Sequence, residues 1–380
     1  MRCSGTCGSV ARPLGGAASQ EWAVMFMCPD NRYRIGLLAS KIQTRTDLAV
    51  RQLAGDVRGG SMRRVAGLTL TGLGAFFVAS ALLLRFYIPG QVIKFPLNEY
   101  DVLTLTGNNL SYFSVAQLKE LSGVSMRATS TFRGIVKAGS SSTAVWDNFT
   151  ALEDVTNHQP VQYSSQRSAF DRRTGALVNC CGAAVDSNTK IRQSGLAFVW
   201  PIGAQRKTYQ VFDTTLLKPV PARYVGTATI NGMTAYKFVE QVSNERFGQQ
   251  AVPRSLAGLP GQGSVTLSEN YTATNTYWVD PVTGTVLALS QNDKVALEDS
   301  TGAARLVALQ GQVVTTPQTD QAQVNIARSA QNKIRLIQDI GPLVLVIVGI
   351  GLVVLGIMLI MRQRDEEEPV YDEDPVGSAA

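Results

Sequence analysis

Few residues in this chain can do chemistry, and their spacing narrows the options further. Its 380 residues include one histidine, His158, and five cysteines. A single imidazole excludes zinc sites built on several histidines and hangs any Ser-His-Asp triad on one residue. His158 lies in the polar stretch Thr156-Asn157-His158-Gln159-Pro160 and reads as a surface-loop residue. Cys180 and Cys181 are neighbours in sequence. Adjacent Cα atoms are about 3.8 Å apart across a trans peptide, below the common disulfide span, so a bond between them is strained. An oxidising compartment favours that bond. The pair therefore reads as a vicinal disulfide, with free buried thiols and redox or interchain use as the alternatives. Asp147, Glu153, Asp154, Asp171 and Asp213 offer carboxylates for a glycosidase-type pair, but sequence spacing brings no two of them together. Phe198, Trp200, Tyr209 and Phe212 cluster around a turn and read either as core or as the wall of a lipid cavity. The sequence has no Walker loop, no GxGxxG after a strand, no HExxH and no GxSxG. No catalytic residue, metal site or cofactor is expected. Asn109, Asn148 and Asn270 begin glycosylation sequons, which matter only in a host that uses them.

What must position these residues follows from where the apolar content sits. Hydrophobic residues make up 45% of the chain and charged residues 17%, low against the usual quarter or so. Residues 65–84 (VAGLTLTGLGAFFVASALLL) and 341–361 (GPLVLVIVGIGLVVLGIMLIM) carry no charge. As helices, each is roughly 30 Å long, the thickness of a bilayer's hydrocarbon core. Lipid cannot hydrogen-bond a backbone, so such runs cross as helices. Ala79-Ser80-Ala81 fits a signal-peptide cleavage pattern, but the apolar run is too long and continues past it. An uncleaved anchor is the better reading.

Arg58, Arg63 and Arg64 precede the first run, against Arg85 and Lys94 after it, which puts the N-terminal side in the cytoplasm. Two crossings return the chain to that side. The chain thus divides into transmembrane helix 62–85, an extracytoplasmic domain 86–339, transmembrane helix 340–361 and an acidic cytoplasmic tail 362–380. Residues 1–61 show no sustained periodicity, and Met62-Arg63-Arg64 before an apolar run looks like a natural start. They are expected to be disordered or not translated. The net charge is +6, yet residues 86–339 are nearly balanced, with no basic stripe for nucleic acid.

Residues 86–339 read mostly as β: short alternating runs between turn signals. Residues 223–242 form the clearest hairpin, with Asn231-Gly232 at a type I′ turn. Asp171-Arg172-Arg173-Thr174-Gly175 and Asp280-Pro281-Val282-Thr283-Gly284 share one pattern, Asp closing on its own backbone and Gly taking the left-handed position. Residues 271–279, 286–297 and 305–314 are strand-like. Residues 114–121 predict a short helix capped by Ser114. Residues 243–264, rich in Gly, Pro and Gln, predict a long loop. Residues 321–339 predict a helix running into the second span, with a kink at Gly341-Pro342.

Several segments taken together resemble a known family: residues 63–87 (RRVAGLTLTGLGAFFVASALLLRFY), 170–182 (FDRRTGALVNCCG), 195–214 (GLAFVWPIGAQRKTYQVFDT), 218–226 (KPVPARYVG) and 277–287 (YWVDPVTGTVL). The resemblance is to the actinobacterial two-span proteins often labelled "porin PorA". It covers roughly residues 62–364. It implies a mainly β fold, an elongated β-barrel-like extracytoplasmic domain anchored by two transmembrane helices and enclosing cavities. For some relatives it implies a part in lipomannan and lipoarabinomannan biosynthesis, with phospholipid or glycolipid binding. It supplies no catalytic residues.

The expected function is non-catalytic: a plasma-membrane protein whose outer domain binds a lipid or lipoglycan precursor, an apolar cavity taking the chains and a polar rim the head group. Expected partners are membrane lipids or that precursor, together with envelope biosynthesis enzymes, and no nucleic acid. Two rivals are a porin or channel, which calls for polar residues along the spans, and an envelope glycan-processing enzyme, which calls for clustered carboxylates in a cavity. A third is a receptor tethered at both ends, with the acidic tail reading out binding.

Overall fold

A computed structural model describes residues 60–364. The expectations for residues 1–59 and for the acidic residues beyond 364 lie outside the described residues. The chain opens with α1 (Gly60–Phe86) and the short α2 (Ile88–Val92). Twelve strands follow: β1 (Tyr100–Ser114), β2 (Lys119–Gly134), β3 (Thr143–Asp154), β4 (Gln159–Asp171), β5 (Leu177–Val178), β6 (Ala184–Val185), β7 (Tyr209–Asp213), β8 (Lys218–Ile230), β9 (Met233–Pro253), β10 (Ser264–Val279), β11 (Val286–Glu298) and β12 (Ala304–Thr315). The chain then forms α3 (Pro317–Arg335), a π-helical turn (Leu336–Ile340) and α4 (Gly341–Arg364).

The described chain falls into two units, one of residues 60–72 with 353–364, the other of residues 73–352. In the first, α1 and α4 touch backbone to backbone. A Cβ added at Gly67 would lie 2.6 Å from Ile360 Cγ1 and 2.9 Å from Gly356 O. Such close approach through small residues is how apolar helices gain contact where no hydrophobic force separates them from lipid. The hydroxyls of Thr69 and Thr71 donate to carbonyls of their own helix, at Val65, Ala66 and Gly67. In the second unit, a Cβ at Gly349 would lie 2.8 Å from Gly74 O, so the same kind of contact recurs there.

The sheet of the second unit is antiparallel throughout, in the order β5-β4-β3-β2-β1-β12-β11-β10-β9-β8-β7, with β6 on β4. The chain starts in the middle at β1 and steps outward to β5. It then crosses to the far edge at β7 and steps back to β12 beside β1. Leu105 pairs with Thr315, so the start of β1 and the end of β12 share one end of the sheet. Both connections to the apolar helices leave from that end.

The crossing segment joins the two edges. Leu177 N donates to Gly195 O, Leu196 N to Gln210 O and Phe212 N to Leu196 O. Residues 195–196 thus bridge β5 and β7 and give the sheet its barrel-like closure. Further along, Trp200 N donates to Gly284 O, Ile202 N to Arg173 O and Gly203 N to Val282 O. The two Asp-x-x-Thr-Gly turns therefore grip the same segment. Each is built by its aspartate: Asp171 Oδ1 accepts from the backbone of Arg173 and Thr174, and Asp280 Oδ2 from the backbone and hydroxyl of Thr283. Gly175 (φ +68°) would place a Cβ 2.7 Å from Val199 O, and at Gly284 (φ +76°) a Cβ would overlap Trp200 O. The repeated motif is both turn and docking surface.

Inside the sheet, Trp200 stacks on Phe238 with centroids 4.2 Å apart and packs with Val211, Ala222 and Val279. Asn231 (φ +43°) and Gly232 (φ +78°) make the tight β8–β9 turn read from the sequence. Two other expectations need correction. Residues 114–121 are not a helix: Ser114 ends β1, its hydroxyl accepts from Gln117 N, and Lys119 begins β2, so the capping side chain closes a hairpin turn instead. Residues 243–264 are not a long loop: β9 runs on to Pro253, pairing with β10 through Val252–Val265 and Pro253–Ser264. Cross-strand pairing overrides the weak β preference of Gly and Gln there. The irregularity expected from Gly341-Pro342 falls on the turn before it, the π-helical Leu336–Ile340 at the entry to the second apolar helix. Pro342 has no N–H to donate back to Gln338 O, and Arg85 Nη1 takes that carbonyl at 2.7 Å while pairing with Asp339 at 2.8 Å.

Gly284→Ala forces a Cβ into Trp200 O at a positive φ and should lower the stability of the full-length protein by about 2 kcal/mol or more. Denaturant unfolding followed by tryptophan fluorescence measures this, with Gly302→Ala, whose Cβ meets open space, as the milder control.

Candidate functional site

An apolar cavity of about 740 Å³ lies in the second unit, between the sheet and α3. One wall is aromatic. Phe95, Trp146 and Phe170 pack edge to face, with Phe170 5.0 Å from Trp146 and 6.3 Å from Phe95. Phe198 meets Phe132 at 5.4 Å. Phe95, Phe132, Trp146 and Phe198 face the cavity. Phe95 is fixed because its N–H donates to Arg172 O and its carbonyl accepts from Arg172 Nε, both at 2.7 Å. Trp146 Nε1 donates to Pro96 O at 3.2 Å. The segment leaving α1 is thus pinned to the first Asp-x-x-Thr-Gly turn.

The opposite wall is one face of α3, with Ile326, Ala330, Ile334 and, beyond it, Ile337. The other face of α3 explains its position: Val324 and Ala327 are fully buried against Met233, Ala235 and Leu287. Thr316 caps the helix, accepting from Thr319 N at 3.2 Å, and Thr319 Oγ1 donates to Thr104 O at 3.2 Å. Gln331 Nε2 donates to Asp280 Oδ1 at 2.7 Å. The turn after β10 closes the third side with Thr283, Thr285 and Val286.

Charge is sparse and confined to a few groups. Lys94 and Lys333 line the cavity, on the segments next to the first and second apolar helices respectively. Lys94 Nζ also donates to Ser141 O at 3.1 Å. Glu99 and Asp101 line it too, and Gln323 Nε2 donates to Asp101 Oδ2 at 2.6 Å. Burial, and then the Asp101 charge, raise the Glu99 carboxyl above its ordinary range.

Of the four aromatic candidates, Phe198 lines this cavity and the other three do not. Trp200 and Tyr209 pack against Phe238 on the far side of the crossing segment, and Phe212 is buried nearby on β7. The segment is not a regular strand: it bends at Ala197 and Phe198, and the N–H groups of Trp200 and Ile202 donate to carbonyls of two different turns, so Phe198 and Trp200 end on different sides. Sequence reasoning missed Phe95, Phe132 and Trp146, which stand on separate elements that only strand pairing brings together. Cys180 and Cys181 form a disulfide in an exposed loop after β5. His158 is exposed in the β3–β4 turn at φ +55°.

The carboxylates scatter. Asp147 makes a two-point ion pair with Arg167 (2.6 and 2.7 Å), and Asp154 accepts from Tyr112 and Asn157. Asp171 builds a turn, and Glu153 is exposed on β3. Asp213 is different. It joins a buried polar layer that sequence spacing did not reveal. Glu240 Oε1 accepts from Asn275 Nδ2 and Oε2 from Tyr277 OH, each at 3.1 Å, and Asp293 accepts from Tyr271 OH at 3.2 Å. The layer lies between the cluster around Trp200 and a second one of Val220, Val242, Tyr271 and Ala273. Burial, then the Asp213 charge, push the Glu240 carboxyl up to about 7. Burial lifts Asp293 to about 6 and raises Asp213 despite backbone N–H groups of Leu216 and Thr215. None of these three carboxylates lines the apolar cavity.

Known proteins place these features in context. A family model described as Porin PorA matches residues 66–358, from within α1 to within α4. A protein of Corynebacterium amycolatum described as "Porin PorA" is 25% identical over 203 residues, covering 43% of this chain and 53% of that protein. The chain thus spans about half the length of the curated relative it matches.

The buried layer makes stability depend on pH. Glu240 binds its proton more tightly folded (about 7) than its ordinary 4.5, so its contribution is complete below pH 4.5 and is lost as pH rises through 7. Asp213 and Asp293 act with the same sign, while Tyr271 and Tyr277 stay neutral. Asp171, held below its ordinary value, loses its contribution only as pH falls below 3.8. The melting temperature of the full-length protein should fall between pH 5 and pH 8, by an amount on the order of 2 kcal/mol in stability. Glu240→Gln should flatten that slope. A melting temperature that rises over this interval would contradict the assignment.

Proposed function

We propose that this chain, which belongs to the Porin PorA family, binds a lipid or lipoglycan precursor outside the plasma membrane. In this reading both termini are cytoplasmic, residues 86–339 face the envelope, and the protein supports lipoglycan assembly without catalysing a reaction. The observation that carries it is the apolar cavity of about 740 Å³, walled by aromatics and α3, with residues next to both apolar helices on its lining. A lipid entering from the bilayer would exchange one apolar surrounding for another. Each buried methylene is worth about 0.8 kcal/mol against water but nearly nothing against lipid. Head-group contacts would then decide which lipid stays. Lys94 and Lys333 suit a phosphate, and Asp101 with Gln323 suits hydroxyls.

The channel reading draws on the family description. Against it stands the chemistry of the spans: the first has only Thr69, Thr71 and Ser80 as hydroxyl residues and the second has none. The Thr69 and Thr71 hydroxyls are spent on their own helix. The non-catalytic reading is supported by the commitment of Asp147, Asp154 and Asp171 to side-chain and backbone bonds and by the buried layer lying away from the cavity; the cavity's own two carboxylates, Glu99 and Asp101, are the pair an enzyme reading would call on.

Mass spectrometry of lipids extracted from the full-length protein, purified from native membranes, should find an enriched phospholipid or glycolipid. Ala330→Trp, which fills the cavity from α3, should cut that enrichment at least about fivefold while the melting temperature holds. No enriched lipid, or equal enrichment in the variant, contradicts the reading. Unit conductance in planar bilayers would favour the channel instead.

A further inference from the structure

Phe149 on β3 and Tyr163 on β4 form a near-parallel pair, with centroids 5.9 Å apart and 18° between planes. They are 49% and 59% exposed. Register places both on the face of the sheet opposite Trp146: Phe149 pairs with Ser165 and Ala151 with Tyr163, whereas Trp146 points inward to the aromatic wall. Two large aromatic faces side by side in water cost solubility, and a lone buried function does not explain them. Beside Phe149 lies a second cavity of about 450 Å³, lined mostly by residues with polar side chains but offering apolar surface as well. Its floor holds Asp147 and Arg167, bound through Nε and Nη2 to Oδ1 and Oδ2. Its far wall is the loop after the Cys180–Cys181 disulfide, with Gly182, Ser187 and Thr189.

That loop is held in an unusual shape. Cys181, Asp186 and Ser187 are non-glycine residues at φ +61°, +44° and +66°. Such conformations persist where the surroundings over-determine them, and they cluster at binding sites. The surroundings are plain here. Asn179 exchanges two hydrogen bonds with the backbone of Gln193, and Asp186 exchanges two with the backbone of Ser165. Both edges of β4 are already occupied, by β3 on one side and by β5 and β6 on the other. No free edge is left there for an extended peptide to add a strand.

We propose that this cleft is a saccharide-binding site on the outer face of β3 and β4. A sugar ring has an apolar C–H face and a rim of hydroxyls that both donate and accept. The Phe149–Tyr163 platform matches the face, as flat aromatic surfaces do for other ring ligands. The carboxylate of Asp147 and the guanidinium of Arg167, side by side, offer an acceptor and a donor to neighbouring hydroxyls, and the Ser187 and Thr189 hydroxyls add to them from the loop. The site shares no lining residue with the apolar cavity and does not depend on what that cavity holds.

The test uses full-length protein in lipid nanodiscs and a panel of gluco-, galacto-, manno- and arabino-tetrasaccharides, with saturation-transfer NMR as the readout. At least one saccharide should bind with a dissociation constant near 1 mM or below, the range of about 4 kcal/mol. The double variant F149A/Y163A should weaken that binding at least about tenfold without shifting the melting temperature, since both side chains face solvent. Ser187→Trp, which blocks the cleft from the loop side, should do the same. Absence of binding across the panel at about 10 mM overturns the proposal, as does equal binding by F149A/Y163A. An envelope protein held by the wild type and lost by the double variant, with no saccharide bound, also overturns it.

Discussion

The backbone of residues 195–203 is the constraint on which the rest of the sheet depends. An antiparallel meander that begins and ends in its own middle leaves two free edges, and free edges invite other chains. Here the connection between those edges supplies the missing hydrogen bonds itself, through Gly195 and Leu196. The same segment then runs between the two Asp-x-x-Thr-Gly turns, which hold it from both sides. The outcome is local and consequential. Trp200 is driven into the core against Phe238, while Phe198 and Ile202 are left facing the apolar cavity.

The second organising interaction is at the base of α3. Proline at 342 frees the carbonyl of Gln338, and an arginine from the end of α1 fills the gap. Arg85 thereby ties the exit of one apolar helix to the entry of the other, and its ion pair with Asp339 balances the charge. At the other end of α3, the Thr316 cap and the Thr104–Thr319 exchange fix the helix to β1. A helix held at both ends can keep an apolar face, Ile326 to Ile337, away from the core without collapsing onto it. This is how a cavity survives in a fold that otherwise packs its apolar residues together.

Much of this architecture is legible in residue order. Two uncharged runs of bilayer length, Asn-Gly between alternating strands and a duplicated turn motif are local signals, and local signals survive without partners. The resemblance of several motifs to one family carried the barrel-like fold, which no single window contains. What was not legible is whatever depends on distance. Glu240, Asn275, Tyr277 and Asp293 stand on three strands and form one layer because of register alone. Phe95, Phe132 and Trp146 reach the cavity from three elements. The errors have the same root. Ser114 does cap a turn, but the strands on either side pair and exclude a helix; the Gln-rich end of β9 is a strand because β10 lies beside it.

The most direct measurement of the central claim is photocrosslinking with a phospholipid that carries a diazirine near the end of one acyl chain. The full-length protein would be reconstituted with it, irradiated and mapped by peptide mass spectrometry. The account predicts adducts on the cavity walls, at Phe132, Phe198 or the 326–337 face of α3, in addition to background on α1 and α4. Adducts confined to the two apolar helices would contradict it.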